Sequence, residues 1–247
     1  MLFCMAGPLL ENLDVLILAG GLGKRLRKIV DDRPKPMADI AGCPFLDLLI
    51  NFASTFGLSR FVLATGYKSE SIISYYQNTD GPRQILFSNE DKPLGTAGAV
   101  KNAQNLIKSN PFIVMNGDSF CPVDLPSFFD FHTGKDALSS VALVPARNTQ
   151  DFGVVELNDA CQVVRFEEKK IQKQRTFISA GIYLFRQDIF SFIPAQTQCS
   201  LEYEIFPKLV GPKFYGFVTD KELIDIGTPE RYYKAVKILS VESVRIR

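Results

Sequence analysis

Residues 14–37 carry glycines, guanidinium groups and an ammonium in an order suited to holding polyphosphate. Asp14-Val15-Leu16-Ile17-Leu18 is a short apolar run of the kind a buried parallel strand shows, and Gly20, Gly21 and Gly23 follow at once. Glycine reaches positive φ at no steric cost and has no Cβ, so backbone N–H groups there can come against phosphate oxygens. Lys24, Arg25 and Arg27 add positive charge, and an Arg fork matches phosphate geometry. Lys35 stands between Pro34 and Pro36. The two rings fix φ on either side and remove two backbone donors, which predicts a stiff, extended segment presenting its ammonium from a defined place.

Two commoner glycine patterns do not fit. A dinucleotide fingerprint needs a third glycine where Leu26 stands, and a P-loop needs Ser or Thr after its lysine where Arg25 stands. A tight strand-to-helix turn with solvated basic residues would account for the glycines alone, but it needs neither Arg25 nor Pro-Lys-Pro.

Gly20-Gly21-Leu22-Gly23-Lys24-Arg25-Leu26, followed by Pro34-Lys35-Pro36, resembles the signature of the sugar-phosphate nucleotidylyltransferases. Later blocks in the family's order extend the resemblance over residues 14–240. It implies a nucleotide site drawn from Leu18, Ala19, Gly20, Gly21, Gly23, Lys24, Asn116 and Gly117. Arg25, Lys35 and Asp118 are then the residues that act on the reacting phosphates.

Asp118 lies just past the apolar run 112–115, and Asp225 follows Leu223-Ile224. Taken singly, Asn-Gly-Asp and Gly-Thr-Pro are ordinary turn and helix-cap chemistry. Beside a triphosphate loop they acquire another use, because Mg²⁺ takes one or two carboxylates together with phosphate and water oxygens. In the resembling family these two positions are the magnesium aspartates, so Mg²⁺ is the implied cofactor.

Glu90 and the block Leu94-Gly95-Thr96-Ala97-Gly98-Ala99 open an expected helix over 97–107. On residue chemistry alone Thr96 reads as its N-cap. The resemblance makes this loop the holder of base and ribose, its glycines allowing close approach. In this form it is most similar to guanylyltransferases that charge mannose-type sugars, which implies GTP. The sugar 1-phosphate side is implied to come from Gly153, Glu168, Lys169, Ser179, Gly181 and Glu202. Of these, Lys169 would meet the phosphate and Glu168 the ring hydroxyls, although Glu167-Glu168-Lys169-Lys170 would also pass as a solvated charge run. Ser179 replaces the family's usual Asn, and Lys170 the proline that commonly follows Glu-Lys. The blocks around 166–185 and 224–233 look closest to D-glycero-α-D-manno-heptose 1-phosphate guanylyltransferases, with mannose 1-phosphate the nearest alternative acceptor.

The implied reaction is attack of a sugar phosphate oxygen on the α-phosphorus of the nucleoside triphosphate, giving pyrophosphate and a nucleotide sugar for cell-surface polysaccharide. Uridylyl transfer to another sugar, or a regulatory homologue that only binds nucleotide sugars, are the alternatives. Intact Arg25, Lys35, Asp118 and Asp225 argue against the second. A glycosyltransferase would want Asp-x-Asp, and Asp118-Ser119-Phe120 does not supply it.

Length and composition frame these residues. A chain of 247 residues with 46% hydrophobic content can bury the core of one large α/β domain. A net charge of +1 with interspersed signs argues against nucleic acid or an anionic membrane as partner. Five cysteines without C-x-x-C spacing fit free thiols in a reducing, cytoplasmic compartment. The apolar start, with Met5 as a second candidate first residue, is too short for a membrane span and lacks the basic residues of a signal peptide. The single histidine, His132, reads as structural and rules out a His-rich zinc site.

Apolar runs alternate with helical patterns: strands near 15–18, 61–65, 84–88 and 112–115, and helices over 45–56, 69–77, 97–107 and 126–131. Beyond residue 139 the runs 139–144, 154–157, 163–167 and 177–185 follow with few helices between them. Helices around 201–210 and 229–239 then close the chain. This predicts one α/β domain over 1–247, Rossmann-like, with a mostly parallel mixed sheet flanked by helices. Residues 14–138 would form its nucleotide-binding subregion, and 139–247 a smaller second sheet on the sugar side. The chain ends soon after its last expected helix, so no appended β-helix domain is expected within it. A homo-oligomer is allowed but not required.

Overall fold

The computed structural model describes residues 10–77, 81–145, 153–168 and 176–242. The first half alternates strand and helix: β1 (Asp14–Leu18), the short strands β2 (Asp39–Ile40) and β3 (Cys43–Pro44), α1 (Phe45–Ser54), β4 (Arg60–Thr65), α2 (Ser69–Tyr76), β5 (Gln84–Asn89), α3 (Gly95–Asn102), β6 (Phe112–Asn116), β7 (Ser119–Phe120) and α4 (Leu125–Gly134). The second half holds β8 (Ser139–Pro145), β9 (Gly153–Leu157), β10 (Val163–Glu168), β11 (Phe177–Phe185), a π-helical turn Leu201–Ile205 running into α5 (Phe206–Leu209), β12 (Phe214–Val218), β13 (Ile224–Asp225) and α6 (Pro229–Glu242).

β6, β1, β4 and β5 lie side by side in parallel. Their apolar residues alternate strictly between two cores, as a strand buried on both faces requires. Val15 and Ile17, Phe61 and Leu63, and Ile113 and Met115 join one core; Leu16, Val62, Phe112 and Val114 join the other. The first core is covered by α1, α2, α4 and α6, whose inward residues include Leu49, Ile72, Phe128 and Leu239. The second is covered by α3 and the π-turn with α5, through Val100, Leu201, Ile205 and Phe206.

The smaller sheet expected after residue 139 is hydrogen-bonded to the first rather than separate. β11 runs antiparallel to β6 through Ile182–Phe185 and also pairs β8 and β9, so the two groups make one nine-stranded sheet. β12 lies parallel to β8. Between Ser179 and Tyr183 the β11–β8 register shifts, with Gly181 at φ +74°. This bulge bends β11 beside the carboxyl end of β6. At the opposite end, buried Asp14 pairs with Arg60 and accepts the N–H groups of Lys108 and Ser109, tying β1, β4 and the entry to β6 together.

Cys43, Cys121, Cys161 and Cys199 are free thiols, and no helix among the described residues is long and apolar enough to cross a membrane. His132 is buried on α4 with Nδ1 at 2.8 Å from Ser140 Oγ, as its structural reading expects.

Burial pushes the His132 imidazole down to about 4. The unfolded chain protonates this group near pH 6.5, so between that value and about 4 the unfolded state binds more protons and stability falls as pH drops. The contribution is at most about 3 kcal/mol. His132→Gln should flatten the dependence of the urea midpoint on pH across that window; an unchanged slope would show that the ring is not held neutral.

Candidate active site

The glycine turn after β1 and the Pro-Lys-Pro segment are packed on one another. Gly23 has φ +57°, and a Cβ there would stand 3.1 Å from Lys35 Cβ. The expected extended run is extended only at Pro34; Lys35–Met37 form a short 3-10 turn, with Met37 N–H donating to the Pro34 carbonyl at 2.8 Å. Proline's fixed φ fits either conformation, and closing the turn points the lysine inward. The Lys35 side chain is 10% exposed, and its Nζ donates to Asp118 Oδ2 at 2.6 Å.

Asp118 and Asp225 are far apart in sequence and are joined by a two-stranded ribbon. β7 and β13 pair antiparallel with Asp225 opposite Ser119, and Ile226 N–H donates to the Asp118 carbonyl at 3.1 Å. Gly117 makes the approach feasible: its N–H donates to the Leu18 carbonyl, and a Cβ would meet that oxygen at 2.6 Å. Asp225 Oδ1 accepts Gly227 N–H at 2.9 Å and an Arg231 guanidinium N–H at 3.3 Å.

Two cavities meet at this point. One, of about 220 Å³, is lined by Leu18, Gly21, Gly23, Lys24 and Pro36. The other, of about 190 Å³, is lined by Asn116, Gly153, Ser179, Gly181, Glu202 and Asp225. Arg25, Lys35, Asp118 and Gly227 line both. The second cavity also has Ser119, Phe166, Tyr183, Leu223 and Arg231 in its wall. Sequence reasoning missed these residues. Arg231 alone had a usable signal, six residues past Asp225 on the first turn of α6. Asn116 Oδ1 and Ser119 Oγ are buried in this wall without a hydrogen-bond partner among the described residues. Such orphan acceptors are costly unless a polar ligand satisfies them.

The predicted base-side residues are assembled differently. Gly20 packs on Glu90, whose Oε1 would lie 2.9 Å from a Cβ on Gly20 and 2.6 Å from one on Gly66. Glu90 Oε2 accepts Leu94 N–H at 3.1 Å, and burial raises the carboxyl pKa. Ala19 is fully buried, its N–H given to the Ala64 carbonyl. Glu90, Leu94, Gly95, Thr96, Ala97 and Gly98 line neither cavity. The close approach that Gly95 and Gly98 permit is to the protein's own chain. A Cβ on Gly95 would meet the Cys199 carbonyl oxygen at 2.5 Å, and one on Gly98 the Thr197 carbonyl oxygen at 2.9 Å. Thr96 is not the helix cap either. Ala97 and Gly98 give their N–H groups to the Cys199 carbonyl, so α3 begins without a side-chain cap. The Glu168 side chain and Lys169 lie outside the described residues.

The donor set suits a hard divalent cation. Asp118 lines both cavities and Asp225 the polar one, and two such carboxylates are the protein ligands Mg²⁺ commonly takes alongside phosphate and water.

A family model described as nucleotidyl transferase matches residues 14–241. A D-glycero-alpha-D-manno-heptose 1-phosphate guanylyltransferase of Aneurinibacillus thermoaerophilus is 37% identical, with 92% of this chain and 98% of the relative aligned. An enzyme of the same name from Campylobacter jejuni is 36% identical, covering 90% and 97%. The crystal structure of HddC from Yersinia pseudotuberculosis complexed with GMP-PN superposes with a TM-score of 0.79 at 36% identity, covering 92% of this chain and 99% of that one.

If Gly95 serves packing against residues 197–199, Gly95→Ala should lower the unfolding free energy by about 2 kcal/mol or more, since φ +73° and a backbone clash both oppose it. Gly134→Ala, with open space at its Cβ position, should be neutral or slightly stabilising. Urea midpoints of equal size for the two variants would contradict this packing role.

Proposed function

The chain belongs to the nucleotidyl transferase family and is a sugar-1-phosphate nucleotidyltransferase; on that premise we propose that it joins GTP to D-glycero-α-D-manno-heptose 1-phosphate, with mannose 1-phosphate the nearest alternative acceptor. The guanylyl and heptose parts of this reading rest on the names of its relatives and on the blocks at 94–99 and 166–185. The observation that carries the chemistry is the meeting of two cavities at Arg25, Lys35 and Asp118.

The triphosphate occupies the glycine-lined cavity and the sugar 1-phosphate the polar one. An ionised oxygen of the sugar phosphate attacks the α-phosphorus, forming the new O–P bond as the bond to the β-phosphate oxygen breaks, and pyrophosphate leaves on the glycine side. The nucleophile is already an anion, so no proton is removed and no general base is needed. What this chain must supply is alignment and positive charge. Lys35 and Arg25, facing both cavities, meet the charge that spreads over the transferring phosphoryl oxygens. Asn116, expected on the nucleotide side, lines the polar cavity instead, and its Oδ1 with Ser119 Oγ offers polar partners to the sugar. Mg²⁺, held by Asp118 and Asp225, would add further neutralisation of the phosphates.

Lys35→Ala should lose on the order of a hundredfold or more in kcat with the fold retained, the scale for removing one preorganised electrostatic group. Near-normal turnover would remove Lys35 from this role. Asp118→Asn and Asp225→Asn should each shift the Mg²⁺ titration of activity to higher concentration; superimposable titrations would end the proposed metal pair. The substrate pair is tested by pyrophosphate release from GTP, UTP, CTP and dTTP against heptose, mannose and glucose 1-phosphates. Base preference should be sharp, reaching roughly 10⁴-fold in kcat/KM, and sugar preference softer. Preference for UTP or CTP would overturn the guanylyl reading, and higher efficiency with glucose 1-phosphate the sugar reading.

A further inference from the structure

Thr96 stands in the block that sequence resemblance gives to the base, yet its hydroxyl is used up elsewhere. Thr96 Oγ1 donates to Glu202 Oε2 at 2.7 Å and accepts Leu201 N–H at 2.8 Å. Ser200 Oγ donates to the same carboxylate oxygen at 2.7 Å, while accepting the N–H groups of Glu202 and Tyr203. Glu202 Oε2 thus receives two hydroxyl hydrogen bonds from two segments of the chain. Oε1 accepts no hydrogen bond from the described residues, and Glu202 lines the cavity on the sugar side.

The backbone is shaped to deliver this contact. Cys199 N–H donates to the Leu94 carbonyl, and the Cys199 carbonyl accepts the N–H groups of Ala97 and Gly98. The absent side chains of Gly95 and Gly98 leave the room that residues 197–199 fill. Glu202 then sits in a π-helical turn, an irregularity that recurs at functional sites. A carboxylate with one oxygen pinned by two hydroxyls has a single orientation, and its other oxygen is a fixed acceptor for an O–H donor.

We propose that Thr96, with Ser200, is a positioning residue for sugar recognition: it orients Glu202 so that Oε1 accepts a hydroxyl of the sugar 1-phosphate. The block at 94–98 on this account docks the sugar-side segment onto the nucleotide half. This inference rests on the functional reading above.

The test uses the full chain and the best substrate pair from the substrate matrix. Thr96→Val keeps the shape of the side chain and removes both hydrogen bonds. It should raise KM for the sugar 1-phosphate about tenfold while KM for the nucleotide stays within about twofold, the scale of losing a charge-assisted hydrogen bond. Thr96→Ser should restore the sugar KM, and Glu202→Gln should show the same selective rise as Thr96→Val. A rise in nucleotide KM that matches or exceeds the sugar effect would overturn the proposal, as would a Thr96→Ser variant no better than Thr96→Val. If Thr96→Val does not fold, Glu202→Gln decides, and a wild-type sugar KM in that variant overturns the proposal. Failure of the underlying reading looks different, since the wild-type chain would then release no pyrophosphate from any pair.

Discussion

The contact on which the site depends is that between Lys35 and Asp118. The Lys35 side chain is mostly covered, and its ammonium donates to the half-exposed Asp118 carboxylate at the mouth of both cavities. Each partner is in turn fixed by glycines. Gly23 lets the turn after β1 close on the stem of Lys35, and Gly117 lets the chain after β6 pass the Leu18 carbonyl. The β7–β13 ribbon then adds Asp225 to the pair. One ion pair therefore ties together the exit of β1, the exit of β6 and the chain before α6, and the two cavities meet there.

The sheet makes this convergence reproducible. Apolar side chains on both faces of β1, β4 and β6 bury these strands between two cores, which is what holds a parallel sheet in the middle of the fold. Asp14 with Arg60 pins the far end of these strands. Functional residues consequently gather past the carboxyl ends of β1 and β6, where ligands of open α/β sheets bind. β11 turns this edge into a cavity. Its bulge places Gly181 against Ser119 and Asn116, where a Cβ would come within 2.5 Å of Ser119 Oγ, and its outgoing half carries Tyr183 into the wall.

Strong local signals in the sequence were those carried by single segments with their own periodicity or backbone constraint: the apolar runs of β1, β4 and β6, the glycine turn and the fixed placement of Lys35 between two prolines, although that segment closes into a 3-10 turn rather than running extended. Features that need two distant segments were not legible. Two-residue strands such as β7 and β13 have no period to detect, so resemblance alone suggested pairing Asp118 with Asp225. β12 was overlooked because Phe-Tyr-Gly-Phe-Val carries a glycine and no alternation. Thr96 looked like a helix cap because a cap is the local use of threonine, whereas the Cys199 carbonyl supplies the partner from about a hundred residues away. The apparent second sheet likewise depended on whether β11 would pair with β6, a long-range choice that its own residues do not announce.

If the junction acts as one electrostatic unit, its members cannot be removed independently. The most direct measurement is a double-mutant cycle on kcat with Lys35→Met, Asp118→Asn and the combined variant, using the preferred substrate pair. The account predicts that the double variant is slowed little more than the worse single variant. Losses that multiply in full, as for two independent sites, would contradict it.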